Sequence, residues 1–229
     1  MECMDIITKE IYARMTDLAS VKADTTIDEI KKMAEAANKW GFAGVYALPS
    51  HNEILGELIS GNKKTFLGGA VGFPSGGTST ESKVHETMQM IKEGCGEIDM
   101  VINIAWLKGD LLELFKNDIQ EVRKAADGKI VKAILEVHYL SDDEISTASR
   151  IAAESGVSFI KTATGWADSG ATVENINLIK SAISGTGCQI KAAGGIRDFE
   201  TVKEMIALGV TRFGCGTETA LKIIEEIKK

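Results

Sequence analysis

A (β/α)8 barrel with a short N-terminal helix is the fold this sequence predicts, and three observations predict it. Seven short apolar runs alternate with longer amphipathic stretches, the pattern left by a parallel sheet with helices outside it. The runs recur at intervals of roughly 20 to 35 residues, the length of a βα unit. No Ser/Gly/Pro-rich linker interrupts them, and the only prolines are Pro49 and Pro74, so a single domain over residues 1–229 is expected. Seven strands suit an open doubly wound sheet as well as a closed barrel. The stretch "ARMTDLAS" (13–20), placed before the first amphipathic helix, supplies an eighth candidate and favours closure.

Taken in order, residues 3–13 read as the N-terminal helix and 13–20 as the first strand. Thr26 and Glu29 fit a capping box, Ile27, Ile30, Ala34 and Ala37 form a helical stripe, and Gly41 follows its end. The next strands are "AGVYAL" (43–48), "TFLGGAVGF" (65–73), "EIDMVIN" (97–103) and "IVKAILEV" (130–137). Ser141 and Glu144 repeat the capping box before a helix that stops at Gly156. "SFIKTAT" (158–164), "QIKAAGG" (189–195) and "TRFGCG" (211–216) complete the set. His85, Met88 and Met90 read as ordinary helix residues, and His138 follows a strand without metal-ligand spacing to His51 or His85.

Composition narrows the function. A net charge of −7 gives no basic footprint for nucleic acid, and no segment reaches the roughly 18 uninterrupted apolar residues of a membrane span. Cys3, Cys95, Cys188 and Cys215 are scattered, with no CxxC pair, which argues against a zinc or thioredoxin-like site and suits a reducing compartment. The first residues lack the pattern of a secretion signal, so the cytoplasm is the expected location.

Within the apolar runs three lysines stand out. Lys132, Lys161 and Lys191 fall on consecutive strands, neighbours about 5 Å apart in a parallel sheet. One such lysine reads as a buried stem with its head in water at the barrel mouth. Three would repel one another, and repulsion with desolvation favours the neutral amine, a nucleophile toward carbonyls. Asp99 in the preceding strand and Glu136 just after Lys132 are the nearby acids, read either as charge neutralisation of the lysines or, for Asp99, as a proton shuttle. Amine and acid together at a barrel mouth suggest Schiff-base chemistry. Glycines at the last two strand-to-helix junctions, Gly194 and Gly195 before Asp198, and Gly214 and Gly216 before the last helix, let backbone N–H groups face a phosphate. Tight turns alone also use glycine.

The segments "VGFPSG", "GEIDMVIN", "FIKTATG" and "KAAGGIR", in this order, resemble the deoxyribose-phosphate aldolase family, from about Ile27 to the C-terminus. The resemblance implies a class I aldolase on a TIM barrel that reversibly joins acetaldehyde to D-glyceraldehyde 3-phosphate, without metal or other cofactor. It implies Lys161 as the Schiff-base lysine, Lys191 as the cation that favours its neutral form, and Asp99 as the proton-transfer acid. It implies phosphate contacts from Gly165, Gly194, Gly195, Arg197, Gly214 and Thr217, with Gly216 beside them. Asp17, Lys132 and Trp166 are further pocket candidates. The implied partners are a sugar phosphate and an aldehyde, with no nucleic acid or membrane. A homo-oligomer, dimer or tetramer, is compatible with the resemblance.

Departures from the family pattern leave the substrate open. A "DHTLL"-like run is here "DLASV", which keeps Asp17; Tyr46 stands where a cysteine is frequent; "GCGT" replaces a serine-containing pattern, so Gly216 has no hydroxyl; and the chain ends on "IEEIKK" with no tyrosine. Two other readings therefore stand: a sister Schiff-base aldolase acting on a different sugar phosphate, and a non-catalytic barrel that binds one.

Overall fold

The computed structural model describes residues 7–228 of the chain. Eight parallel strands, β1 (Thr16–Ser20), β2 (Gly44–Ala47), β3 (Phe66–Val71), β4 (Glu97–Val101), β5 (Ile130–Ile134), β6 (Phe159–Lys161), β7 (Gln189–Ala193) and β8 (Arg212–Cys215), follow one another around a closed barrel. The stretch 13–20 supplies the strand that closes it: Thr16, Asp17 and Leu18 of β1 are in register with Phe213, Gly214 and Cys215 of β8. The fold is the (β/α)8 barrel that the alternation predicts.

The helices begin and end where local chemistry directs. Helix α1 (Lys9–Arg14) starts at Lys9, because the Thr8 side chain accepts from Ile11 N and sets the N-cap there. Of the helix expected over 3–13, residues 3–6, Cys3 among them, lie outside the described residues, while Ile7 and Thr8 precede the helix and it runs to Arg14. Helix α2 (Ile27–Trp40) has the Thr26/Glu29 capping box and stops at Gly41, whose φ of +67° is left-handed. Helices α3 (Asn52–Ile59), α4 (Thr80–Lys92), α5 (Ile104–Lys108) and α6 (Leu112–Ala125) follow, then α7 (Asp142–Glu154), with the Ser141/Glu144 box. Helices α8 (Val173–Ala182), α9 (Phe199–Leu208) and α10 (Thr217–Glu226) complete the ring. Among the described residues no helix is long and apolar enough to cross a membrane.

The hydrophobic core lies between barrel and helices, not inside the barrel. Alternate strand residues, among them Leu18, Val45, Leu67, Ile98, Val131, Ile160, Ile190 and Phe213, join one apolar cluster with helix residues such as Met33, Leu55, Phe115 and Ile223. The other alternation points inward, as the strand period of two requires. It brings Asp17, Tyr46, Glu97, Asp99, Lys132, Lys161, Lys191 and Arg212 together. Room for the large rings is made by glycine on adjacent strands: a Cβ on Gly68 would meet the Tyr46 ring at 2.2 Å, and one on Gly44 the Phe66 ring at 2.4 Å. Charge therefore reaches well below the mouth, deeper than an interior filled by apolar side chains allows.

Candidate active site

Barrel closure delivers the three lysines to shared carboxylates. Register places Lys161 beside Lys191, with Ile134 rather than Lys132 level with Lys161 on β5. Lys132 thus sits lower, opposite Asp99. The Nζ atoms of Lys161 and Lys191 each donate to Asp99 Oδ2 at 2.8 Å, while Lys132 Nζ donates to Asp99 Oδ1 at 2.8 Å. Asp17 takes the other side: Arg212 donates to its Oδ1 at 2.8 Å, and Lys191 Nζ lies 2.6 Å from its Oδ2. Lys132 also approaches Glu97 at 2.5 Å, and Arg212 reaches Glu97 at 3.5 Å. Those contacts to Asp17 Oδ2 and to Glu97 Oε2 are ion pairs by distance but miss hydrogen-bond angles.

Mutual repulsion of the lysines is thus only part of the electrostatics. Burial alone would raise the Asp99 carboxyl, but the ammoniums of Lys132, Lys161 and Lys191 outweigh it and hold the group well below the usual carboxylate range. Asp17 is likewise lowered, burial being overcome by Lys191, Lys132 and Arg212. Burial disfavours charge on Lys132 as well, yet Asp99, Asp17 and Glu97 reverse the effect and raise it. Lys191 goes the other way. Burial brings it down to about 8 against the pull of Asp17 and Asp99, with Lys161 and Lys132 adding to the fall. Tyr46 Oη accepts from Lys132 at 2.6 Å, and its ring lies 4.4 Å from Lys191 Nζ. Burial first, then Asp99, push the phenol well above its ordinary value, so it stays neutral.

Above this cluster a cavity of about 710 Å3 opens at the C-terminal ends of the strands and continues along α2 and α10. Its walls include Asp17, Tyr46, Lys161, Lys191 and Trp166. The Lys161 side chain is 10% exposed, against 1% for Lys191 and 0% for Lys132, so Lys161 is the amine a ligand reaches most directly. Lys132 does not line the cavity and, contrary to its reading as a pocket residue, forms part of the layer beneath. Trp166 anchors the rim: its indole N–H donates to Val21 O at 2.9 Å, and the ring meets Phe73 edge-on at 6.2 Å.

The glycine junctions divide into two kinds. Gly165, Gly194 and Gly195 have φ of +89°, +75° and +84° and line the cavity with Arg197. At α9, the Asp198 side chain already accepts from Thr201 N, so that helix start is capped by the protein itself. At α10, Gly216 is the N-cap without a side-chain cap bond, and Thr217 Oγ1 is buried with no hydrogen-bond partner. This end offers unmatched polar groups to an anion. Gly214, also on the cavity wall, has a further use: a Cβ there would come 3.3 Å from Lys191 Cε, so the missing side chain clears space for the lysine.

One expectation needs correction. Glu136 does not neutralise the lysines; it is buried, with φ +53°, and accepts from the Thr164 N–H and hydroxyl, tying β5 to the loop after β6. His138 faces outward, its Nδ1 2.9 Å from Ser169 Oγ, away from the cavity walls. Glu97 and Arg212, unnoticed in the sequence, are integral to the charge network. The available signal was a charged residue inside each of two apolar runs, at positions that alternate with outward-facing Ile98 and Phe213.

Comparison with known proteins agrees with this geometry. Residues 11–217 match the family model described as DeoC/LacD family aldolase. The chain is 41% identical over 217 residues to a deoxyribose-phosphate aldolase of Coprothermobacter proteolyticus, covering 95% of this chain and 97% of that one. It is 40% identical to one of Sinorhizobium medicae, covering 93% and 86%. The solved structure of the aldolase QR15 superposes with a TM-score of 0.86 at 32% identity, over 94% of this chain and 95% of that one. With a closed eight-stranded barrel, strand lysines converging on one carboxylate, and a match across nearly the whole chain, the protein belongs to the DeoC/LacD aldolase family.

Proposed function

We propose that the protein is a class I aldolase that reversibly cleaves 2-deoxy-D-ribose 5-phosphate to acetaldehyde and D-glyceraldehyde 3-phosphate through a Schiff base on Lys161. The observation that carries this reading is the pair of amines, Lys161 and Lys191, which line the cavity and both donate to the single oxygen Asp99 Oδ2 beneath it. The 41% identity to a deoxyribose-phosphate aldolase supports the substrate.

Lys161 is the nucleophile because it is the most exposed of the three interior amines. Lys191, held at about 8 by burial, keeps its proton loosely near neutral pH. Asp99 Oδ2 accepts from both nitrogens, so the Lys191 ammonium competes with Lys161 for the same oxygen and favours release of the Lys161 proton to water in the cavity. The free amine adds to C1 of the open-chain sugar, and loss of water gives the protonated imine. The imine accepts the electron pair of the breaking C2–C3 bond, while Asp99, directly or through a water, relays the proton of the C3 hydroxyl. Glyceraldehyde 3-phosphate departs, and protonation and hydrolysis of the enamine release acetaldehyde and restore Lys161.

The phosphate sits at the α10 start, where Gly216 and Thr217 line the cavity and the first N–H groups have no side-chain cap, with Gly165, Gly194, Gly195 and Arg197 on the walls of the same cavity. We place the protein in the cytoplasm, where free thiols such as Cys95 and Cys215 persist.

Acetaldehyde with borohydride tests the reading. A two-carbon adduct on Lys161 is expected, absent in Lys161→Ala, and turnover is expected to survive EDTA; an unlabelled Lys161 in the active wild type overturns it. The Tyr46 ring on the cavity wall favours one second reading, a sister aldolase for another sugar phosphate. A substrate panel separates the two: faster turnover of a different phosphosugar than of deoxyribose 5-phosphate selects the second.

A further inference from the structure

The barrel interior holds more positive groups than negative ones. Its carboxylates are Asp17, Glu97 and Asp99; facing them are Lys132, Lys161, Lys191 and Arg212, joined in one continuous set of ion pairs. The remaining inward positions on the strands themselves add no charge. Tyr46 on β2 is a neutral phenol. On β3, Gly68 and Ala70, in register with Glu97 and Asp99, carry no ionisable group. Cys215 on β8 points outward with Phe213 into the apolar cluster, and the Glu136 carboxylate, beyond the end of β5, stands apart from this set and accepts from the Thr164 N–H and hydroxyl. With every lysine protonated, four cations share three carboxylates in a space nearly closed to water.

One member of the set cannot relieve that excess. A guanidinium keeps its proton at all accessible pH values, and the Arg212 head is fixed by Asp17 and Glu97 and lies 5.6 Å and 5.5 Å from the Phe66 and Phe159 ring centroids. Its charge is permanent, so the proton that leaves must come from a lysine.

We propose that Arg212 is a positioning residue that keeps one interior lysine uncharged near neutral pH by occupying carboxylate capacity on Asp17 and Glu97, with Glu97 acting in the opposite sense. The inference rests on the Schiff-base reading of Lys161, and its effect is transmitted through the network rather than by contact with substrate. Without Arg212, three carboxylates match three ammoniums and every lysine can hold its proton. Without Glu97, Lys132 turns wholly to Asp99 and Asp17, and the excess of positive charge doubles. The lowered value of Lys191, with Lys161 and Lys132 among its causes, agrees with an interior already poised to lose one proton.

The test is the pH dependence of adduct formation on Lys161 with acetaldehyde and cyanoborohydride, followed by mass spectrometry in the full-length protein. In Arg212→Met, which keeps an apolar stem between the two rings, the acid limb is expected to move up by about one pH unit, roughly tenfold slower capture at a fixed pH below the midpoint. In Glu97→Gln it is expected to move down. Arg212→Gln, which removes the charge but keeps an amide donor for Asp17, is expected to move the limb up as well and keeps the test open if Arg212→Met fails to fold. A merely structural role lowers the yield of folded protein and leaves the limb in place. Unshifted limbs in both Arg212→Met and Glu97→Gln, or shifts in the same direction, overturn the proposal. Absence of any Lys161 adduct in the wild type at every pH is a separate result, which overturns the aldolase reading and the inference with it.

Discussion

Two sets of buried charges in this molecule follow opposite designs. Between α4 and α6, Lys83 donates to Asp118 Oδ2 at 2.6 Å and to Val101 O at 3.0 Å, while Thr80 Oγ1 donates to Asp118 Oδ1 at 2.9 Å; both charged side chains are fully buried. Each charge meets one opposite charge, and further bonds use the remaining capacity. Inside the barrel, Asp99 alone serves three lysines. Burial pushes both Lys83 and Lys191 down, but around Lys83 the charged neighbours Asp118 and Glu86 only oppose that fall, whereas around Lys191 two other lysines reinforce it. Burial by itself does not mark chemistry. A buried amine with cationic neighbours does, because its proton is the one that can be removed.

The sharpest way to break this contrast is to remove the hub. Asp99→Asn leaves the shape of the side chain but removes the charge that gathers the amines and the acceptor that passes the proton. Turnover is expected to fall by roughly 10²–10⁴-fold, the span for loss of a positioned acid–base group, and a kcat/KM within a factor of a few of the wild type contradicts the assigned role. The outer pair should respond in stability rather than in rate. Lys83→Met strands the Asp118 carboxylate and is expected to destabilise the fold by roughly 3–5 kcal/mol in urea unfolding, whereas Lys83→Met with Asp118→Leu recovers most of that loss. If the single variant instead loses activity while keeping its stability, the two sets are not separate and the contrast fails.

How far each set could be read from the sequence depends on the range of the interactions that build it. The capping boxes at Thr26/Glu29 and Ser141/Glu144 span three residues and are recovered as written. The strands follow from alternation within a few residues, and Lys161, Lys191 and Asp99 stand out because a charge in an apolar run is locally anomalous. Arg212 and Glu97 are equally charged and equally within such runs, but their meaning lies in partners brought in by closure: Arg212 meets Asp17 across 195 positions of sequence. Lys132 was legible as an interior lysine but not as the lower layer, because its level relative to Lys161 is set by β5–β6 register. Glu136 illustrates the reverse error. Its nearness to Lys132 in sequence suggests a counter-ion, yet the left-handed turn at its own backbone directs it to Thr164.

The interior imbalance also has a consequence for stability, of smaller size and definite sign. The folded protein holds the Lys191 proton only below about 8, while the unfolded chain holds it to about 10.4, the ordinary lysine value. Between those limits the unfolded state binds more protons, so unfolding free energy rises with pH. The charged Lys191 is thus a destabilising element at neutral pH, relieved as the solution becomes alkaline, and the rise from this group amounts to roughly 3 kcal/mol at about 1.4 kcal/mol for each pH unit. Lys83, also lowered, contributes in the same direction, and Lys132, which is raised, in the opposite one. The informative quantity is therefore the wild-type curve minus that of Lys191→Met, measured by urea unfolding from neutral pH to the lysine range. That difference is expected to climb with pH. Parallel curves mean that Lys191 is as firmly protonated as the outer pair's lysine would be with its carboxylate alone, and the distinction between a balanced pair and an overfilled cluster then has no energetic content.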